Sequence, residues 1–344
     1  MSKLLEFRNE GIYCPQADFY IDPWKSVANA VITHAHSDHA RSGMANYLCH
    51  SLTAPMLRHR LSKDISIQTL EYSETLLING VKLTLHPAGH IIGSAQVRLE
   101  YKGEVWVVSG DYKTQVDPFA NAFEPVPCHT FITESTFGLP VYSWKSDLVQ
   151  QQAVLAWWQN CISEEKTPVI LAYSLGKAQR ILAMLKDGPG PVYSHGAVFS
   201  TNQILRESGI AIPTDIYAGT IGKQELAKNA IILAPPAADQ SIWLKKFGNV
   251  SVAHVSGWMT LRGAKRRRNA EKGFAISDHA DWNGLNYAVK ATGAECVYVT
   301  HGYSSVFAAW LTEQGIDAKE IKTEFEGEAD GISDSKSWAE EESK

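Results

Sequence analysis

Between residues 34 and 39 the chain reads His34-Ala35-His36-Ser37-Asp38-His39, three imidazoles and a carboxylate in six positions directly after the apolar run "AVI" and Thr33. A lone histidine in a polar loop is ordinary surface chemistry. This spacing is not, because neutral imidazoles and carboxylates are the donors that suit Zn²⁺, Mn²⁺ or Fe²⁺. In an extended or turning segment His34 and His36 point to one side, while Asp38 and His39, past the bend, reach a second point nearby. The pattern predicts a metal centre with room for two cations. A cation pair does hydrolysis well: it acidifies water into a nucleophile near neutral pH and neutralises charge that builds on phosphate oxygens.

Further donors stand where apolar runs stop: His90 in "LTLHPAGHIIGSA", Asp111 in "VWVVSGDY", Glu134 in "TFITES", His279 in "FAISDHAD" and His301 in "VYVTHGY". Loops at strand ends are where a rigid sheet presents functional groups. Gly89, Gly93, Gly110 and Gly302 flank these donors, and glycine permits the close backbone approach that a ligand cluster requires. In "YSLGKAQ", Ser174 is expected as a helix N-cap with Lys177 in the first turn, an arrangement able to hold a phosphate through free N–H groups; a plain capped helix is the alternative. Lys113, just beyond Asp111, is read as a solvated lysine, with a phosphate contact as the other option.

The elements that must position these groups show two textures. Residues 1–140 read as mainly strands, with hairpins around Asn79-Gly80 and Lys102-Gly103 and one helix at 52–62. From about residue 145 helices and apolar strands alternate, the pattern of a parallel α/β unit. After residue 273 come strand, helix, strand and helix again. The fold class is therefore α/β, a first domain interrupted by an α/β insertion and then completed.

At 344 residues with 44% hydrophobic content, the chain is long enough for two domains with sizeable cores. No apolar run approaches the length that spans a bilayer, and "MSKLLEFRNEG" lacks the apolar stretch of a signal peptide, so a cytoplasmic protein without membrane contact is expected. Five scattered cysteines with no CxxC pair suggest neither a disulfide framework nor a thiolate zinc site. The formal charge of −5 resides in the end of the chain: residues 326–344 hold seven acids against two lysines, leaving the remainder balanced. That end is expected to be a disordered acidic tail. A basic run, "LRGAKRRRNAEKG", stands at the other extreme with Arg266, Arg267 and Arg268 at its centre. Such runs are usually solvated surface, but beside a metal centre they favour a phosphate backbone.

Taken in order, Asp22 in "YIDP", then "HAHSDH", "AGHIIGSA", "SGDY", "ITESTFG", "AYSLGKAQ", "ISDHADW" and "VTHGY" resemble the metallo-β-lactamase fold carrying a β-CASP domain. That family includes the cleavage and polyadenylation endonuclease and the Artemis-type DNA repair enzymes. The chain is most similar to its compact bacterial ligase-associated DNA exonuclease branch, and the resemblance covers about Asp22 to Gly302. It implies an αββα sandwich from residues 1–140 and 276–325, a β-CASP domain at 141–275 and the acidic tail at 326–344. It also implies one metal on His34, His36, His90 and Asp111 and a second on Asp38, His39, Asp111 and His301, with Asp111 bridging and Asp22 supporting the ligand loop. Zinc is the first choice of cofactor and manganese the second. His279 corresponds to the general acid, which adds roughly 10²–10⁴-fold by protonating a leaving oxygen. Glu134 corresponds to the carboxylate that orients it.

The activity implied is exonucleolytic, from the 5′ end, on single-stranded or end-containing duplex DNA, in repair. An ATP-dependent DNA ligase and a helicase are the partners implied. One departure bears on the substrate: the DNA-acting Artemis group usually has valine where this chain has His301, and histidine there is typical of RNA-acting members. An RNA endo- or exonuclease is thus the alternative enzyme, and a non-catalytic nucleic-acid-binding subunit the alternative of another class. A small-molecule hydrolase would leave the insertion and its basic run unexplained.

Overall fold

A computed structural model of the chain describes residues 3–222, 224–261 and 271–325, so Arg266, Arg267, Arg268 and the acidic end lie outside the described residues. The chain divides into two compact units. The first runs to Ser143 and resumes at Asp278; the second spans Trp144–Ser277.

The first unit is built on two sheets. One holds β1 (Glu6–Arg8), β2 (Gly11–Cys14), β3 (Phe19–Ile21), β4 (Asn29–Val31), β5 (Asn46–His50) and β6 (Ile67–Leu70) in that spatial order, with α1 (Ala54–Arg60) between the last two. The other is ordered β19-β18-β11-β10-β9-β8-β7, from β7 (Thr75–Ile78), β8 (Val81–Pro87), β9 (Ala95–Tyr101), β10 (Glu104–Val108), β11 (Thr130–Ser135), β18 (Cys296–Gly302) and β19 (Asp317–Glu320); β12 to β17 lie in the second unit. Both hairpins turn on two residues of positive φ, Asn79-Gly80 and Lys102-Gly103, the turn whose twist matches antiparallel strands.

Because successive side chains alternate faces, the central strands divide their apolar residues between two cores. Trp106, Val108, Ile132 and Tyr298 join Ile12, Phe19, Ile21, Val31 and Leu48 of the first sheet. Val107, Phe131, Val297 and Val299 face the other way, onto Leu285, Ala288, Val289, Phe307 and Leu311. Those last five belong to α6 (Trp282–Thr292) and α7 (Ser304–Glu313), numbered after α2 to α5 of the second unit. The unit is thus layered sheet on sheet on helices. Strands β10, β11 and β18 are buried on both faces, and their ends are where Asp111, Glu134 and His301 emerge.

The second unit is a parallel sheet in the order β14-β13-β15-β12-β16-β17. Its strands are β12 (Thr167–Leu171), β13 (Val192–Ser194), β14 (Ile216–Tyr217), β15 (Ile231–Ala234), β16 (Val250–Val255) and β17 (Lys272–Phe274), and its helices are α2 (Asp147–Ser163), α3 (Lys177–Leu185), α4 (Gly196–Glu207) and α5 (Ile242–Lys245). The α/β class expected from the alternation is present. Helix α5 is a single turn, and the strand expected after residue 273 instead ends at Phe274 and pairs with β16. Among the described residues no helix is long and apolar enough to cross a membrane.

Candidate metal centre

The ligand loop leaves β4 and is tied down at once. Ile32 N donates to Leu48 O (2.8 Å), and Thr33 O accepts from Ala95 N (2.8 Å), a bond from the first sheet to the second. Ala40 N and His39 N both donate to His36 O, which bends the segment so that His34, His36 and His39 converge. His90 comes from the β8–β9 connection, where Ser94 Oγ accepts from His90 N and Ile91 N. Asp111 follows β10, and His301 is the penultimate residue of β18.

These donors surround one carboxylate. Asp111 Oδ2 lies 3.6 Å from His34 Nε2 and 3.8 Å from His90 Nε2, while Oδ1 lies 3.4 Å from His39 Nε2 and 2.9 Å from His301 Nε2. His36 Nδ1 sits 3.0 Å from His90 Nε2, and Asp38 Oδ2 sits 3.6 Å from His39 Nε2. Among the described residues the donor groups able to hold a cation include His34-His36-His90-Asp111, His39-Asp111-His301 and Asp22-His34-His39, each with its ligand atoms within 4.8 Å of one another, and Asp38, expected on the second metal, belongs to none of them.

The donors fit a metal. Among the described residues, Nε2 of His34, His39 and His301 and Oδ1 of Asp111 are buried without a hydrogen-bond partner, the 2.9 Å approach of His301 to Asp111 lacking hydrogen-bond geometry. Buried polar atoms left unpaired are costly; a cation on the second group would relieve three of them, His39 Nε2, His301 Nε2 and Asp111 Oδ1, and one on the first group would relieve His34 Nε2. Burial, reinforced by the neighbouring imidazoles, holds His34 and His90 well below the usual imidazole range, hence neutral as ligands must be. Burial pulls His39 down too, but Asp111 and Asp38 with the Asp22 bond outweigh it and hold His39 well above that range. Burial pushes Asp111 up, and His39, His301 and His279 overcome it to keep the group ionised. Without a cation, a proton on His39 balances Asp111.

The outer atoms of the imidazoles are held as well. His39 Nδ1 bonds Asp22 Oδ2 (2.7 Å), whose carboxylate also accepts from Thr33 N and Thr33 Oγ1. His90 Nδ1 lies 2.9 Å from Asp278 O, and Nδ1 of His34 and His301 lies beside Thr33 and Thr300. Phe325 stacks on His39 with centroids 4.3 Å apart and planes within 8°, and meets His301 and Trp24 edge-on.

Beside this cluster His279 Nδ1 lies 2.9 and 3.1 Å from the two oxygens of Glu134, which is itself fixed by Tyr112 N (2.8 Å). His279 Nδ1 is 3.9 Å from Asp111 Oδ2, and Asp111, Glu134 and His279 form a further group of donors that could hold a cation.

The histidine, aspartate and glutamate candidates of the first unit therefore meet in one place, except that Asp38 only approaches His39, at 3.6 Å, and joins no donor group. The remaining candidates differ. Lys113 is buried, not solvated, its backbone N bonded to Ala88 O. Ser174 is not the N-cap of α3. Gly176 takes that place with φ 91°, and Gln179 reaches back to Gly176 N (2.7 Å), so the side chain of Gln179 does the capping. Lys177 opens α3, is buried, and lies 4.9 Å from the Tyr173 ring centroid. The sequence reading missed Thr33 and Thr300, although each precedes a predicted ligand, and Phe325, for which no local pattern gives a signal.

No protein-family model matches the chain. Over 315 residues it is 30% identical to a protein of Opitutus terrae named probable DNA ligase, covering 90% of this chain and 30% of that one. Over 123 residues, 35% of the chain, it is 30% identical to endoribonuclease YSH1 of Kluyveromyces lactis and 29% identical to that of Saccharomyces cerevisiae, 16% of each protein being covered. The chain thus spans less than a third of the length of these curated relatives. A crystal structure of a protein of unknown function from Enterococcus faecalis matches with a TM-score of 0.53 over 79% of this chain and 74% of that one, at 11% identity, a likeness of fold alone.

Proposed function

We propose that the chain is a metal-dependent phosphodiester hydrolase of the metallo-β-lactamase fold with an inserted β-CASP domain, and that it acts as a DNA exonuclease in repair. The observation that carries this reading is the division of Asp111 between two sets of imidazoles, Oδ2 toward His34 and His90 and Oδ1 toward His39 and His301. His34, His36, His90 and Asp111 would hold one divalent cation and Asp38, His39, Asp111 and His301 a second, zinc or manganese, which would supply an acidified water and neutralise phosphate oxygens. The sheet-on-sheet layering with helices outside, and the similarity to proteins named as a DNA ligase and as endoribonucleases, support the fold and the nucleic-acid substrate.

The residues of the chain divide the remaining work. Asp22 orients His39 and braces the loop through Thr33. Glu134 accepts the Nδ1 proton of His279, which leaves Nε2 as the nitrogen that can pass a proton to the departing 3′ oxygen. Arg266, Arg267 and Arg268 are proposed to meet the phosphate backbone, with Ser174 a weaker candidate for the same task; Lys113 and Lys177 are buried and unsuited to it. A ligase is proposed as partner on the strength of the Opitutus similarity. The second reading, an RNA endo- or exonuclease, is favoured by His301 and by the endoribonuclease relatives.

A digestion time course on end-labelled single-stranded DNA, duplex DNA and RNA, in Zn²⁺ and in Mn²⁺, tests both. Stepwise loss of nucleotides from the 5′ end of DNA supports the first reading, and preferred cleavage of RNA supports the second. Tight binding of either polymer without cleavage, with both cations bound, would make the chain a binding subunit.

A further inference from the structure

Two Thr-His dipeptides, Thr33-His34 and Thr300-His301, set a threonine hydroxyl beside Nδ1 of the histidine that follows, at 3.1 and 3.2 Å. A hydroxyl has one proton and two lone pairs. Thr33 Oγ1 donates its proton to Asp22 Oδ2 at 2.5 Å, and Thr300 Oγ1 donates to the backbone carbonyl of Thr133 at 3.0 Å. Asp22 Oδ2 and the Thr133 carbonyl oxygen are the acceptors of these bonds, so both hydroxyl protons are committed. What each threonine has left for the adjacent imidazole is a lone pair, and a lone pair bonds only to an N–H. An imidazole that holds a single proton therefore carries it on Nδ1 and leaves Nε2 bare. Those bare atoms are the ones found buried, unpartnered and turned toward Asp111.

We infer that Thr33 and Thr300 are positioning residues that select the tautomers of His34 and His301, one threonine serving each of the first two donor groups. His39 and His90 need no such device, since Asp22 and the Asp278 carbonyl can only accept. Threonine is ambivalent, and its role is decided by where its own proton goes. Both hydroxyls lack freedom to choose otherwise: Thr33 and Thr300 are 1% and 4% exposed. At Gly110 any Cβ would stand 2.6 Å from Thr33 Oγ1, so that hydroxyl is packed against bare backbone. The inference rests on the metal reading only for the use to which the bare Nε2 atoms are put.

The test is the ring ¹⁵N spectrum of the full chain without metal, by long-range ¹H–¹⁵N correlation, together with Zn²⁺ titration. His34 and His301 are expected to show protonated Nδ1 and bare Nε2. Thr33→Val keeps the shape and removes the lone pair; it should scramble the tautomer of His34 and not of His301, and weaken Zn²⁺ binding by about 10–100-fold, the range for partners of metal-bound histidines. Thr300→Val should do the same for His301 alone. Thr33→Ser and Thr300→Ser, which keep the hydroxyl, should restore both the spectrum and the affinity. Rings that hold their single proton at Nε2 in the unaltered chain, valine variants with unchanged tautomers, or serine variants that fail to restore the pattern overturn the inference. If the tautomers behave as expected and the unaltered chain binds no divalent cation, the threonine assignment holds and the metal reading of the site fails.

Discussion

Asp111 has to satisfy two groups of imidazoles with one carboxylate, and an amide cannot do so. The Asp111→Asn side chain would present an oxygen to one group and an NH₂ to the other, and the NH₂ cannot ligate. The variant is expected to lose at least one of two cations per chain, measured by elemental analysis of the dialysed protein, along with nuclease activity. Retention of both cations would remove Asp111 from the bridging role. His279 makes a different demand, because its nearness to Asp111 is compatible with ligation as well as with proton donation. His279→Ala should slow cleavage of ordinary DNA by roughly 10²–10⁴-fold while metal content stays unchanged. On a substrate whose bridging 3′ oxygen is sulfur, a leaving group that needs no proton, the variant should recover most of that loss. Equal losses on both linkages, or loss of a cation, would make His279 a ligand or a substrate-positioning residue.

Strands β11 and β18 place Glu134 and His301 side by side, and their register shifts between Thr133 and Ser135. Gly302 makes that fit possible: at φ +91°, a Cβ there would stand 2.4 Å from the Ser135 carbonyl carbon and oxygen. Backbone cannot swing aside as a side chain can. Gly302→Ala should therefore cost about 1–3 kcal/mol and weaken any cation binding to which His301 contributes. Thermal unfolding with and without Zn²⁺ reads both effects, and an unchanged midpoint would show that the strand pair yields more easily than its geometry suggests. Much of this arrangement was legible in the sequence, because a strand end announces itself where an apolar run stops at a donor, as at "VWVVSGDY" and "VYVTHGY". Where the order of bonds is long-range, the sequence was silent or misleading. Lys113 looked solvated because burial depends on what packs over it, not on its neighbours in sequence. Ser174 looked like a cap because its residue type suits one, whereas the backbone turn at Gly176 and the reach of Gln179 decide the matter. The roles of Thr33 and Thr300 hinge on acceptors 11 and 167 residues away.

The first unit is written in two instalments, with the second unit, Trp144–Ser277, between them. His34, His36, His39, His90 and Asp111 belong to the earlier instalment and His301 to the later, so a cation on His39, Asp111 and His301 would be a clasp across the gap. Seen as polymer physics, the clasp closes a loop of nearly two hundred residues, and closure entropy grows with loop length. Metal occupancy should therefore protect the first unit as a whole: at about 100 times the dissociation constant the stabilisation is about 2.7 kcal/mol. Chelation should raise hydrogen exchange in β11 and β18 and lower the unfolding midpoint of the first unit, while β12 and β15 of the second keep their protection. Equal loosening of both units would show that they unfold as one. On this view the centre is also a fastener, and a cell that starves the chain of metal would be left with a protein undone at its seam as well as an idle one.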